Sequence, residues 1–186
     1  MKSLVKFFLA AALLVSVGAY ADPYGDTVEL FKNAGESAAF FHNCYGYAVF
    51  PTVGKGGLVV GGAYGTGHVF AQGKYTGDAA VTQLSVGFQA GGQAYSQIVF
   101  FENKTAYEEF TNGSFEFGAD VGAVAITAAA SATAGTTGAS ATASGGRKDA
   151  VTTGRYYKGM AVFVIVKGGA MYQATVAGQR FKFTPR

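Results

Sequence analysis

Residues Tyr45–Phe70 read YGYAVFPTVGKGGLVVGGAYGTGHVF, and this stretch decides the fold class. It holds eight glycines among its 26 residues, mixed with aromatic and β-branched side chains. A glycine inside a helix costs about 1 kcal/mol relative to alanine, so a helix is disfavoured. Closely packed, sharply turned strands suit this mixture. The stretch therefore predicts short strands, which we place at the apolar or aromatic runs Tyr45–Phe50, Leu58–Tyr64 and His68–Lys74.

Glycine and proline in the same stretch predict the joints between these strands. Pro51 and the segment Gly54-Lys55-Gly56-Gly57 predict the first joint. Gly65-Thr66-Gly67 is short enough for a hairpin turn and predicts the second. Tyr75-Thr76-Gly77-Asp78 predicts one more turn after the third run.

The rest of the chain alternates helical and extended patterns. Tyr24–Phe41 predicts an amphipathic helix, and Asn103–Phe110 predicts a second, short helix with Asn103 as its N-cap. Further runs predict strands, and the order of elements predicts an α+β fold with a mainly antiparallel sheet. These predicted strands are Val81–Gln89, Ala94–Phe101, Phe115–Ile126, Met160–Val166, Ala170–Val176 and Arg180–Phe183.

The first 21 residues have the pattern of a signal peptide. Lys2 and Lys6 precede the apolar run Phe7–Val17, and Ala19-Tyr20-Ala21 has the small-x-small spacing of a cleavage site. We therefore expect an exported protein of the periplasm or cell envelope, with one domain over residues 22–186. Cys44 is the one cysteine in the sequence, so no intramolecular disulfide stabilises the fold.

Residues 128–146 form a low-complexity tract of Ala, Ser, Thr and Gly. The tract has no bulky side chain and cannot form a core of its own. It fits an exposed loop or small-residue strands under the rest of the sheet, and the sequence does not decide between them.

Charge is distributed unevenly along the chain. Residues 22–146 carry four Lys and ten Asp or Glu, whereas residues 147–186 carry eight Lys or Arg and one Asp, a net of +7. The basic segment could face anionic head groups, or the two parts could neutralise each other across the folded surface.

Two short runs in the basic segment interleave rings with cations, a composition that suits a lipid interface or nucleic acid. Because an exported protein rarely meets nucleic acid, lipid is the better functional interpretation. The alternative is a strand whose rings pack inward while its cations face water. The candidate lipid-binding residues are Arg155, Tyr156, Tyr157, Lys158, Arg180, Phe181 and Lys182.

Catalytic and cofactor motifs fail on spacing. Gly54-Lys55 and Gly73-Lys74 lack the following Ser or Thr and the upstream glycine of a phosphate-binding loop. His42, Cys44 and His68 are too few and too scattered for a zinc site. No nucleophile motif of a hydrolase occurs. We therefore expect neither an enzyme nor a bound cofactor or metal.

An ordered set of motifs resembles the SYLF domain family over most of residues 22–186. These motifs are Phe50-Pro51, Lys55-Gly56-Gly57, Gly61-Gly62-x-x-Gly65-x-Gly67, Leu84–Gly91, Phe115-x-Phe117-Gly118-Ala119-Asp120 and Tyr157-Lys158-Gly159-Met160. The resemblance implies an antiparallel α+β domain without catalytic activity that binds phospholipids. It also implies phosphoinositides and actin filaments as partners among eukaryotic members.

The sequence departs from that family in two places. The tract 128–146 is unusually rich in Ala, Ser and Thr, and the N-terminal helix lacks a basic face. Export also makes actin an unexpected partner. The leading hypothesis is therefore a non-catalytic envelope domain that contacts anionic phospholipid through its basic C-terminal segment. The alternatives are a small outer-membrane β-barrel, which longer alternating strands would favour, and a structural envelope protein.

Overall fold

The computed structural model describes residues 22–57, 60–86, 91–113, 115–117, 124–126, 155–169, 176 and 178–186. The predicted signal peptide, the tract 128–146 and most of the predicted strand Ala170–Val176 lie outside these residues. The helices are α1 (Pro23–Lys32), α2 (Gly35–Asn43) and α3 (Lys104–Thr111). The strands are β1 (Gly46–Gly57), β2 (Val60–Ala71), β3 (Lys74–Val86), β4 (Gly91–Phe101), β5 (Val124–Ile126), β6 (Met160–Gly169) and β7 (Gln179–Pro185).

All seven strands form one sheet in the order β5-β6-β4-β1-β2-β3-β7. The pairs are antiparallel except β5 with β6, which is parallel. Strands β1, β2 and β3 are consecutive neighbours, while β4 returns to the other side of β1. The prediction of an α+β fold with a mainly antiparallel sheet is confirmed.

Two hydrophobic clusters cover the two faces of the sheet. On the face that we call the outer face, Phe31 of α1 packs in a cluster with Phe100 of β4 and Phe163 of β6. On the inner face, Phe110 of α3 packs with Phe101 and other side chains of the sheet. Strands β4 and β6 are thus covered on both sides. The continuous apolar run Met160–Ile165 of β6 follows from this position, because both of its faces are covered.

The sheet is strongly curled. Gln97 on β4 and Gln179 on β7 are four strand spacings apart in the sheet order, which is about 19 Å in a flat sheet. Nevertheless, the Nε2 atom of Gln97 donates to Oε1 of Gln179 at 2.8 Å. The inner face must therefore fold back on itself, so that β4 and β7 contact each other across an enclosed interior.

Several predicted turns are wrong, because their glycines lie inside long strands. Strand β1 continues through Pro51 to Gly57, β2 passes through Gly65-Thr66-Gly67, and β3 passes through residues 75–78. A Cβ atom at Gly67 would lie 2.6 Å from the Phe50 ring and from the Val49 carbonyl oxygen. This glycine therefore permits a close approach of strands.

The reversal between β2 and β3 lies at Gln72-Gly73, where φ is 50° and 76°. Both residues occupy the left-handed region, which a tight two-residue hairpin loop requires and which glycine adopts without strain.

The predicted N-terminal helix is divided in two. Gly35 has φ of 38°, and Ser37 Oγ donates to the carbonyl oxygen of Phe31 at 2.6 Å, which satisfies an acceptor at the end of α1. The second predicted helix is confirmed as α3. Its N-cap is Asn103, whose Oδ1 accepts a hydrogen bond from the Ala106 N–H at 3.0 Å.

Candidate functional site

Strand β7 places two of the predicted lipid-binding residues on the surface and one in the core. Arg180 and Lys182 are exposed on the outer face, while Phe181 is only 3% exposed on the inner face. The Phe181 ring lies 4.8 Å from the Phe110 ring and 5.5 Å from the Phe117 ring, measured between centroids. The expectation that Phe181 stands at a lipid interface is therefore corrected, because period-two alternation turns it inward.

The part of the outer face formed by β2, β3 and β7 is what we call the open face. Arg180 lies opposite Thr82, and Lys182 lies opposite Ala80. An open groove of about 750 Å³ runs over these strands. Its lining includes Arg180, Lys182, Tyr64 and, toward the other end, His68 and the carboxylate of Asp78. Tyr24 of α1 forms part of the lining and stacks on His68, with ring centroids 3.4 Å apart. Helix α1 therefore borders this face.

Two large apolar side chains project from the open face. Tyr64 is 59% exposed, and Leu84 is 74% exposed. Tyr64 lies opposite Thr82 on β3, and Thr82 lies opposite Arg180 on β7. The arrangement thus combines a cationic strand with apolar groups on one solvent-facing surface, which suits contact with a charged and partly apolar partner.

The cations of β7 differ in their local pairing. Arg180 Nε donates to Oε2 of Glu116 at 2.8 Å, and both side chains are largely exposed. Such an exposed pair contributes about 0.2–1 kcal/mol and is screened by salt. Lys182 forms no ion pair with any residue that the structure describes. Lys182 is therefore the cation of this strand that is more available to an anionic partner.

The other predicted group, residues 155–158, lies elsewhere on the molecule. These residues precede β6, which is five strand spacings from β7 in the sheet order, about 24 Å along the sheet. The start of β6 pairs with the end of β4, whereas Arg180 lies near the start of β7. The seven predicted residues therefore do not form one site.

Residues 156–158 have distinct local roles. Tyr156 packs edge-on against Phe40 of α2, with centroids 5.1 Å apart, and burial raises the pKa of its hydroxyl. Lys158 Nζ lies 5.4 Å from the centroid of the Tyr157 ring, in a turn where its φ is 49°. Arg155 is exposed. Half-buried Tyr156 is thus part of the packing under α2, while Arg155 and Lys158 face solvent.

Sequence reasoning missed three residues of interest. Lys167 on β6 is exposed, and its Nζ donates to Oγ1 of Thr52 at 3.2 Å, which places a third cation on the outer face. Period-two alternation places Lys167 on the same face of β6 as Ile165, and this could have identified it as an outer-face cation. Tyr64 could not be assigned outward while the register of β2 was unknown. Lys55 is almost completely buried, which its glycine neighbours gave no reason to expect.

Other chemistries find little support in the described part of the chain. There, no three His, Cys, Asp or Glu side chains are grouped so that they could hold a metal ion. Burial raises the pKa of the Cys44 thiol, which disfavours the reactive thiolate. None of the helices within the described ranges has the length and apolar character needed to cross a membrane.

Comparison with known proteins gives one family and one curated relative. The family model Ysc84, described as "Las17-binding protein actin regulator", matches residues 82–182, more than half of the chain. Beta cell expansion factor A of Aeromonas veronii is 27% identical over 158 residues, which cover 83% of this chain and 51% of the relative. The chain therefore spans about half the length of this relative.

Proposed function

The chain belongs to the SYLF (Ysc84) family, and we propose that it is a non-catalytic phospholipid-binding domain of the cell envelope. Family membership suggests a lipid- or actin-related binding domain. The signal-peptide pattern of residues 1–21 favours lipid, because an exported protein does not meet cytoskeletal actin. Anionic phospholipid of the envelope is the partner that fits both the family and the basic C-terminal segment.

The observation that carries the proposal is the outward position of Arg180 and Lys182 beside Tyr64 and Leu84. Phosphate groups would lie against the two cations, and the exposed Tyr64 and Leu84 side chains would enter the head-group region. Lys167 adds a third positive charge on the same outer face. Arg155 and Lys158, at the other end of the sheet, would contact the same membrane only as secondary cations.

Electrostatics gives the size of the expected effect. A Lys or Arg near an anionic surface contributes about 1 kcal/mol to membrane binding, so removing two such charges costs about 2 kcal/mol. That cost corresponds to an approximately 30-fold weaker partition. Because Glu116 already neutralises part of Arg180, we expect a loss of about 10- to 30-fold. Salt should weaken binding further, since the Debye length is only about 8 Å at 0.15 M.

Flotation with vesicles tests the proposal. The chain from Asp22 is mixed with phosphatidylcholine vesicles, with and without 30 mol% phosphatidylglycerol, at low and high salt. We expect binding to the anionic vesicles, a 10- to 30-fold loss in Arg180→Gln/Lys182→Gln, and little loss in Lys32→Gln/Lys104→Gln. The second pair removes the same charge from exposed helical lysines outside the open face.

Two results would contradict the proposal. If the unaltered protein binds neither vesicle type at low salt, phospholipid is not the partner. If the loss occurs in Arg155→Gln/Lys158→Gln and not in Arg180→Gln/Lys182→Gln, the contact surface is at the start of β6.

A further inference from the structure

A row of five buried side chains, four of them polar, crosses the inner face of the sheet near the end of β1. Strand register aligns one position on each of five neighbouring strands, and alternation directs these side chains to the enclosed interior. Lys55 is the second member of the row, between β4 and β2, and lies two residues before the end of β1. The row consists of Gln93, Lys55, Ala63, Gln83 and Gln179, each of which is buried.

Lys55 is the unusual member of this row. Its side chain is only 6% exposed, and its Nζ atom forms no hydrogen bond and no ion pair with the described residues. Burial lowers the pKa of this ammonium group. A buried ammonium group without an anionic partner destabilises a fold, whereas a methionine of similar length would fill the same space without that penalty. A partner from outside the chain would remove the penalty.

A fixed polar network shares Gln179 with this row. Gln97 and Gln179 exchange hydrogen bonds of 2.8 and 3.0 Å, and Gln179 Nε2 donates to the Tyr95 hydroxyl at 3.1 Å. Each of these three side chains is at most 1% exposed. Beyond them lie apolar side chains of the inner-face cluster. Strand register places Lys55 in the same row as Gln179, at one end of this ordered polar network.

We propose that the Lys55 ammonium group binds a small oxyanion at the end of the curled sheet, in the layer that it shares with buried glutamine side chains. The anion is a phosphate or a related oxyanion, carried by a free ion or by the head group of a lipid. Lysine serves as a point charge with three donors, which suits an oxyanion of either source. The site lies on the opposite face of the sheet from Arg180 and Lys182, so it does not depend on the proposed membrane contact.

Titration of the chain from Asp22 with inorganic phosphate and, separately, with dihexanoyl phosphatidic acid below its micelle concentration tests this site. Ionic strength is held constant with sodium chloride, and isothermal titration calorimetry gives the affinity. We expect at least one probe to bind, with at least tenfold weaker binding in Lys55→Met. Lys74→Met, which removes an exposed lysine at the opposite end of the sheet, should bind as the unaltered protein does.

A second measurement covers the possibility that Lys55→Met does not fold. In the unaltered protein with ¹³C-labelled lysine, the Lys55 Cε resonance should shift on titration and saturate together with the heat signal. Similar affinity for both probes indicates a free-anion site, while tighter phosphatidic acid binding indicates a lipid head group. Equal affinity in Lys55→Met, or no binding and no Lys55 shift with either probe, would overturn the inference.

Discussion

Replacing Gln179 by methionine should destabilise the protein far more than replacing both Gln97 and Gln179. The single change keeps the side-chain length but leaves the Gln97 amide, which is completely buried, without its two contacts to Gln179. It also removes the donor to the Tyr95 hydroxyl. A buried polar group left without its partner costs about 1–3 kcal/mol. With both ends of the Gln97 amide affected, we expect a loss of about 2–4 kcal/mol.

The double variant Gln97→Met/Gln179→Met removes both amides together. Only the Tyr95 hydroxyl then loses a partner, and replacing both members of a buried hydrogen-bonded pair by apolar groups of similar shape is nearly neutral. We therefore expect the double variant to be within about 1–2 kcal/mol of the unaltered protein. Gln97→Met alone should cost about 1–3 kcal/mol, because it leaves the Gln179 amide without its partner. The coupling between the two changes is then negative and about 3 kcal/mol in size, at the upper end of the range for contacting residues.

Urea unfolding of the chain from Asp22 measures these differences. With an m-value of about 2 kcal/mol per molar urea, the single variant should unfold at about 1–2 M lower urea, and the double variant should recover much of this loss. Additive effects of the two changes would show that Gln97 and Gln179 do not contact each other. The same result would contradict the curl that brings β4 and β7 together across the interior.

Three further predictions concern the same inner face. Phe181→Ala should cost about 3–5 kcal/mol in the free energy of unfolding measured with urea, whereas Lys182→Ala, its exposed neighbour, should change it by less than about 0.5 kcal/mol. Gly67→Ala should lower the melting temperature clearly, because its Cβ would collide with Phe50. Gly54→Ala is the control and should not lower it, because its Cβ would meet open space. Equal effects would contradict the close approach of Gly67 to Phe50. Burial raises the pKa of Tyr95 to about 12, above the usual value near 10, so the folded state holds this proton more tightly. The contribution of this group to the free energy of unfolding is complete below pH 10 and decreases by up to about 3 kcal/mol as the pH rises toward 12. Between pH 9 and pH 11, the free energy of unfolding measured with urea should therefore decrease less in Tyr95→Phe than in the unaltered protein.

The fold class could be predicted from the sequence, because the spacing of aliphatic and aromatic residues within a short segment is enough to distinguish a strand from a helix. Met160–Val166, for example, is apolar throughout because both of its faces are covered. Turn positions were less predictable, since a glycine is required equally by a tight reversal and by a close contact between strands. Gly73 does the first and Gly67 the second, and only the ring of Phe50, distant in sequence, distinguishes them. The residues next to Gly67 in sequence do not reveal its contact with that ring.

The candidate site was predictable only in part, for a related reason. Composition identified the basic segment, but the choice between a cation facing solvent and one facing the interior depends on strand register. Lys182 and Lys55 both lie in strands beside aromatic or small residues, yet one is exposed and the other is buried. A pattern of alternating residues fixes which side chains share a face, and the packing of the whole sheet decides which face is covered.

Register also links the exposed cations of β7 to the core. Strand β7 pairs with β3 so that Val81 lies opposite Phe181 and both are buried. A slip of one residue would move the Phe181 ring into solvent and bring Arg180 and Lys182 to the interior, where neither has a carboxylate partner among the described inner-face residues. The cost of burying two unpaired cations thus holds the strand in place. One register of β7 therefore fixes both its exposed basic side chains and its buried ones. A change that weakens the Phe181 contacts should also disturb the open face.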